Sequence, residues 1–259
     1  MQKKLIKITG ADRKEFLQGL ITNDIYKASE EEAIFAAFLT PQGKFLADFF
    51  IIKKDESLII DIHPKFFEAF IKKLKIYKLR SKIEIEEITA ASYISKTPIK
   101  NNNGLTCFKD PRSDIFGYRI LMLGQGETQP ENTISDASYE YHKLRIENNI
   151  PEGAYDLIQD KSYILEYGYD KLNAIDFNKG CYIGQEVITR TYRRGVIRKE
   201  VRVVEFDKLP IDLDQLPRLS SCEKQDEIHP FFQKGSSLNY QGKKVGIINF
   251  MIKIKNCYK

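Results

Sequence analysis

The chain has 259 residues, 42% of them hydrophobic and 12% aromatic, enough for a large core and two or three domains. Its 41 basic and 36 acidic residues leave a mild net charge of +5, with the lysines scattered. No apolar run approaches a membrane span, and residues 1–8 lack the apolar core of a secretion signal and the arginines of a transit segment, so the expected location is the cytoplasm.

Residues 1–8 read as a first strand. The spacing predicts a helix over 12–25, with Asp12 and Glu15 at capping-box spacing and Phe16, Leu17 and Leu20 as its apolar stripe. Thr22, Asn23 and Asp24 end that helix with polar groups that either face a ligand or simply finish the helix. Apolar runs at 34–39 and 44–52 around Thr40-Pro41-Gln42-Gly43 predict a hairpin. Asp48 sits among apolar residues of its second strand, where a buried carboxylate must be paired, hydrogen-bonded or neutral.

A strand over 57–62, a helix over 64–79 with Phe66, Phe67, Phe70, Ile71 and Leu74 at core spacing, and a strand over 82–87 follow. This strand–helix–strand unit suggests a ferredoxin-like lobe. Residues 101–104 read as a loop and 117–123 as a strand. A helix is expected over 135–148, with Tyr139, His142 and Ile146 on one side.

The chain then reaches Lys179-Gly180-Cys181-Tyr182-Ile183-Gly184-Gln185-Glu186, which joins a thiol, a neighbouring cation, two glycines and an amide–acid pair. A helix over 182–194 would place Cys181 near its positive end, on one face with Gln185. Glu186 and Arg190 would share a face at i,i+4 spacing. Lys179 and the helix end both favour a thiolate; the bland alternative is a small buried cysteine in a tight contact. Arg190, Arg193 and Arg194 belong to a basic run over 190–199 able to hold an anion, although such runs are commonly solvated surface. Beyond it, a strand over 201–206, a Pro-bearing stretch over 210–230 and a hairpin over 234–248 predict a small β domain. The expected boundary divides an α+β region, 1–199, from this domain, 200–259.

Cys107, Cys181, Cys222 and Cys257 form no CxxC pair and lie far in sequence from His63, His142 and His229. A zinc or cluster site built by this chain alone, or a disulfide framework, is therefore not expected.

On these residues the chain resembles the YgfZ-type folate-binding proteins. That family is related to the glycine-cleavage aminomethyltransferase and to a mitochondrial iron–sulfur assembly factor. The 179–186 signature carries the resemblance, supported by residues 12–24, by 40–44 with Asp48, by Asp110-Pro111-Arg112, Gly117-Tyr118-Arg119 and Ile150-Pro151-Glu152-Gly153. It implies an α+β fold of interwoven N-terminal lobes around a folate pocket, with a C-terminal β-barrel. It also implies tetrahydrofolate or a derivative as ligand, iron–sulfur client or assembly proteins as partners, and Cys181 as the functional thiol, with Lys179 beside it. Asn23, Asp24 and Asp48 are the candidates for the pterin, and Arg190, Arg193 and Arg194 for the glutamate tail. Tyr182, Gln185 and Glu186 complete the candidate folate contacts.

The aminomethyltransferase carries two adjacent acids where this chain has Ala47 and Asp48, which argues against glycine cleavage. An accessory role in iron–sulfur assembly is thus the first reading and a folate-dependent one-carbon transferase the second. An RNA-binding module is third, because no aromatic-rich RNA surface motif accompanies the basic run.

Overall fold

The structure is a computed structural model describing residues 2–102, 104–123, 128–195, 197, 199–203, 237–240 and 243–247. In chain order the elements are β1 (Gln2–Thr9), α1 (Arg13–Gln18), β2 (Ile34–Leu39), β3 (Phe45–Lys54), β4 (Ser57–Ile62) and α2 (Pro64–Lys78). They continue with β5 (Glu84–Ser95), β6 (Leu105–Lys109), β7 (Tyr118–Leu123), β8 (Thr133–Ser135), α3 (Tyr139–Glu147), α4 (Gly153–Asp156) and α5 (Gln185–Arg194). A separate hairpin of β9 (Ser237–Tyr240) and β10 (Lys243–Ile247) matches the one expected over 234–248.

Antiparallel pairing builds one sheet in the order β2-β3-β4-β1-β5-β7-β6, with β8 on β5. Because β4 and β5 both pair antiparallel with β1, they run parallel to each other on its two sides, joined by α2 as a split β–α–β unit. β2 and β4 are buried along their whole length, which is why β2 reads as a continuous apolar run rather than an alternating one; in β4 the burial includes Ser57 and Asp61. Pro64 opens α2 at its first position and the His63 side chain accepts from the Lys65 N–H. The buried face of α2 is Phe66, Phe67, Phe70, Ile71 and Leu74. Phe70 packs 5.4 Å from Phe38 and 4.8 Å from Phe49, ring centre to ring centre. Burying five such side chains contributes on the order of 10 kcal/mol before conformational entropy is subtracted.

Several expectations are corrected. The helix over 12–25 is cut to Arg13–Gln18: at its start the Asp12 carboxylate accepts from the Lys82 N–H at 2.7 Å instead of capping α1, and at its end Gly19 takes the C-cap position. Thr22 is drawn toward the sheet: its N–H donates to the Ala37 carbonyl and its hydroxyl to the Ala174 carbonyl. β5 runs to Ser95, eight residues past the expected end at Glu87, while β6, β8 and α4 were not predicted at all. α3 begins at Tyr139 behind Ser138, whose hydroxyl accepts from the Tyr141 N–H. Its buried side chains are Tyr141, His142 and Arg145, with Tyr139 and Ile146 only partly covered. Residues 201–203 have no regular structure, and the rest of the strand expected over 201–206 lies outside the described residues. So do the 210–230 stretch and, apart from β9 and β10, the C-terminal barrel.

Candidate functional site around Cys181

Residues 173–184 form an irregular segment stitched to residues 18–24. The Asp176 N–H donates to the Thr22 carbonyl at 3.0 Å, and the Asp176 carboxylate accepts from the Asn178 N–H at 2.7 Å in an Asx turn. Lys27 pairs with Asp176 at 2.7 Å. The Asn23 amide donates both hydrogens, to the carbonyls of Phe35 (2.8 Å) and Asn173 (2.7 Å), and its oxygen accepts from the Asp24 N–H. Asp24 accepts from the Gln18 amide and the Tyr26 N–H.

Lys179 turns inward. Its ammonium donates to the carbonyls of Gln18 (2.8 Å), Ile21 (2.8 Å) and Asn23 (2.7 Å), and lies 5.1 Å from the centre of the Tyr182 ring. Burial pushes its pKa down to about 8, against the pull of Asp24 and Asp176. All three of its N–H groups are engaged, so it is no hydrogen-bond donor to Cys181.

The Cys181 thiol is free and exposed. It stands four residues ahead of α5 rather than on it, so it shares no helix face with Gln185 and sits outside the helix's first turn. The reason is Gly184, held at φ 84° immediately before Gln185. A Cβ there would lie 2.6 Å from the Thr40 carbonyl oxygen and 3.0 Å from Leu39 Cβ, so only glycine lets α5 seat against the β2–β3 turn. Farther along, the Phe177 and Tyr192 rings stack at 3.8 Å and 19°. Ile188 is the buried residue of α5. Gln185, Glu186, Thr189, Arg190, Arg193 and Arg194 line an open groove along the helix. Arg193 and Arg194 fall in the last turn, where the helix dipole favours cations.

Asp48 lies elsewhere, on β3. It is 6% exposed, and its Oδ2 accepts from the Tyr169 hydroxyl (2.7 Å) and the Gly153 N–H (2.9 Å). A Cβ on Gly153 would come within 2.4 Å of Asp48 Oδ1 and 2.3 Å of Phe45, so backbone closes directly over the carboxylate. Burial raises its pKa from 3.8 to about 6, opposed by the Tyr169 hydrogen bond. The folded state therefore holds this proton up to about pH 6, whereas the unfolded chain releases it near 3.8. Stability falls as pH rises between these values, by about 3 kcal/mol in all, and the whole cost is present above pH 6. Asp48→Asn keeps an oxygen for both donors and removes the titration. Denaturant unfolding from pH 4 to 7.5 should lose this slope, and the variant should be at least as stable as wild type at pH 7.5.

Sequence reading missed a buried ionic network behind Asp48. Lys3 on β1 meets Asp61 (2.6 Å) and Asp136 (2.9 Å), and Arg119 on β7 reaches Asp136 (3.3 Å), Asp61 and Asp110. Asp110 holds Arg112 through two parallel bonds of 3.0 and 2.8 Å. Arg112 donates to the Tyr141 hydroxyl, which donates to Glu152; Arg145 on α3 pairs with Asp156 at 2.7 Å. His142 accepts from Arg145 at 3.0 Å, and burial lowers its pKa to about 4, so it is neutral near pH 7. The motifs at 110–112, 117–119 and 150–153, noticed only for their resemblance, were the signal for this network.

No family model matches the chain. Curated relatives do. The chain is 30% identical over 224 residues to the mitochondrial iron–sulfur cluster assembly factor IBA57 homolog of Mycosarcoma maydis, covering 78% of this chain and 55% of that protein. It is 31% identical to the Neurospora crassa homolog (77% and 51%) and 31% identical to the mouse factor (79% and 64%). The chain thus spans between half and two thirds of the length of these relatives. Each is named as mitochondrial, which overturns the cytoplasmic expectation. Among solved structures, the glycine cleavage system aminomethyltransferase T of Bartonella henselae aligns with a TM-score of 0.52 at 9% identity. The alignment covers 74% of this chain and 61% of that one, a likeness of fold alone.

Proposed function

With iron–sulfur assembly factors as its relatives over more than three quarters of its length, we propose that this chain serves the assembly or repair of iron–sulfur cluster enzymes. In this reading the Cys181 thiol is the working group. The observation that carries it is the exposure of Cys181 on a segment fastened at both ends, by Lys179 before it and Gly184 after it. A thiolate is the usual protein ligand of such clusters, and one cysteine supplies one of the ligands a cluster needs. The remaining ligands come from an assembly or client protein docked beside α5, with the cluster as cargo.

Folate enters this reading only through the fold and the earlier resemblance. The α5 arginines suit the carboxylates of a glutamate tail. The pterin contacts assigned to Asn23 and Asp48 do not fit, because the Asn23 amide is spent within the chain and Asp48 is sealed under Gly153 and Tyr169. No step of the proposed role runs through a folate, and the one-carbon transferase reading loses its acid for the same reason.

The test is the 4Fe–4S occupancy of a client enzyme in cells carrying wild type, no copy, or Cys181→Ala. Occupancy should fall in both altered strains, while the purified variant unfolds at the wild-type denaturant midpoint, since an exposed Cys→Ala change costs within about 0.5 kcal/mol. Normal occupancy with Cys181→Ala would remove the thiol from the role; normal occupancy without the protein would remove the role itself.

A further inference from the structure

We propose that Lys179 is the positioning residue for the Cys181 thiol: its ammonium gathers the carbonyls of Gln18, Ile21 and Asn23 and so fixes Gly180 and Cys181 in an outward-facing turn. This rests on the reading of Cys181 as the working thiol, and concerns how that thiol is held.

The geometry is that of a clasp. Three N–H groups meet three carbonyl oxygens at 2.7–2.8 Å, and the side chain is nine-tenths buried. Gln18 is the last residue of α1, so its carbonyl has no partner within that helix and accepts a cation well. Two residues on, the chain is exposed, and a Cβ added to Gly180 would touch nothing within 4 Å. The next backbone tie comes at Ile183, whose N–H donates to the Gly19 carbonyl at 3.2 Å. Cys181 is therefore held between two anchors on the same 18–23 segment. A compact tetrahedral ammonium fits three convergent carbonyls; the larger guanidinium of arginine spreads its donors in one plane and fits them less well. The charged groups facing Lys179 are Asp24 and Asp176, the latter itself paired with Lys27, and its remaining neighbour is the Tyr182 ring.

The test attaches a nitroxide to Cys181 in the full chain, with Cys222 and Cys257 changed to serine, and reads its mobility by electron paramagnetic resonance. Wild type should show a slow component at pH 7. Lys179→Met should lose the slow component at every pH from 6 to 10 while keeping its far-ultraviolet circular dichroism. Lys179→Arg, with charge but the wrong shape, should recover only part of it. A folded Lys179→Met with a wild-type slow component would overturn the proposal. If Lys179→Met does not fold, the wild-type label decides: a slow component at pH 7 supports the clasp, and a label as mobile as one on an unfolded chain overturns it. Client cluster occupancy read on the same variants separates the two claims. A mobile label with normal occupancy keeps the clasp and shows that the thiol works without being held in place; an immobile label with lowered occupancy removes the clasp and leaves the thiol's role to Cys181→Ala.

Discussion

Asp110→Asn is expected to cost about 3–5 kcal/mol of folding stability, the usual penalty for stripping one partner from a buried ion pair. Domains of this kind have only about 5–15 kcal/mol to lose. Asp110 and Arg112 side chains are 0% and 1% exposed, so solvent cannot take over from the missing charge. Burial works against the Asp110 carboxylate, yet the Arg112 guanidinium beside it holds its pKa below the ordinary value. An asparagine offers the fork one oxygen instead of two and no charge. Arg112 would remain trapped 4.5 Å from the Phe116 ring centre and 4.8 Å from that of Phe50. Denaturant unfolding at pH 7 measures the loss. Removing both partners, with Asp110→Asn and Arg112→Met together, should cost less than the sum of the two single changes, because no orphaned charge is left behind. A single variant within 1 kcal/mol of wild type would show that the network tolerates an unpaired guanidinium.

Gly184→Ala comes next, at about 2–5 kcal/mol. About 1–2 kcal/mol comes from forcing a side chain into the left-handed region and about 1–3 from overpacking. The added methyl would meet backbone, the Thr40 carbonyl oxygen, which has no rotamer by which to yield. α5 would have to lift off the β2–β3 turn, taking the Cys181 segment with it. Thermal unfolding reads the stability; the nitroxide at Cys181 reads the displacement. Asparagine, which tolerates positive φ better than alanine, should recover the conformational share but not the steric one. If Gly184→Asn equals wild type, the close approach to Thr40 is not what demands glycine.

Most of the fold was legible because its signals are local. β1, the β2–β3 hairpin, β4 and α2 follow from apolar runs, a Pro-Gly turn and a helix-opening proline. α1 was over-extended because Leu20, buried beyond its end, continues the apolar stripe of Phe16 and Leu17; the Asp12–Glu15 spacing imitates a cap, while the real partner of Asp12 is the backbone of Lys82, seventy residues away. β6 escaped notice because Leu105–Lys109 is short and follows an asparagine-rich loop. At the site, the 179–186 signature was legible as chemistry, but not the direction of its side chains. A lysine next to a cysteine in sequence suggests a charge partner; only the fold supplies the three carbonyls that draw the ammonium away. The ionic network was illegible for a related reason. Arg112, Arg119 and Arg145 look like surface residues until strands from distant parts of the chain enclose them.

The clasp also sets a schedule. The acceptors of Lys179 lie 156 to 161 residues upstream, and the neighbouring ties from Thr22 and Asn23 span 152 and 150. At about 5–20 residues per second, a ribosome that has just released residue 23 needs roughly ten to thirty seconds more to deliver Lys179. Closing so long a loop costs about 4–5 kcal/mol of chain entropy unless the intervening sheet has already drawn its ends together. The thiol therefore finds its place only after β1 to β8 have been made, and a nascent chain short of residue 179 has no fixed cysteine to offer. Its ordered presentation marks a chain whose large sheet is already in place.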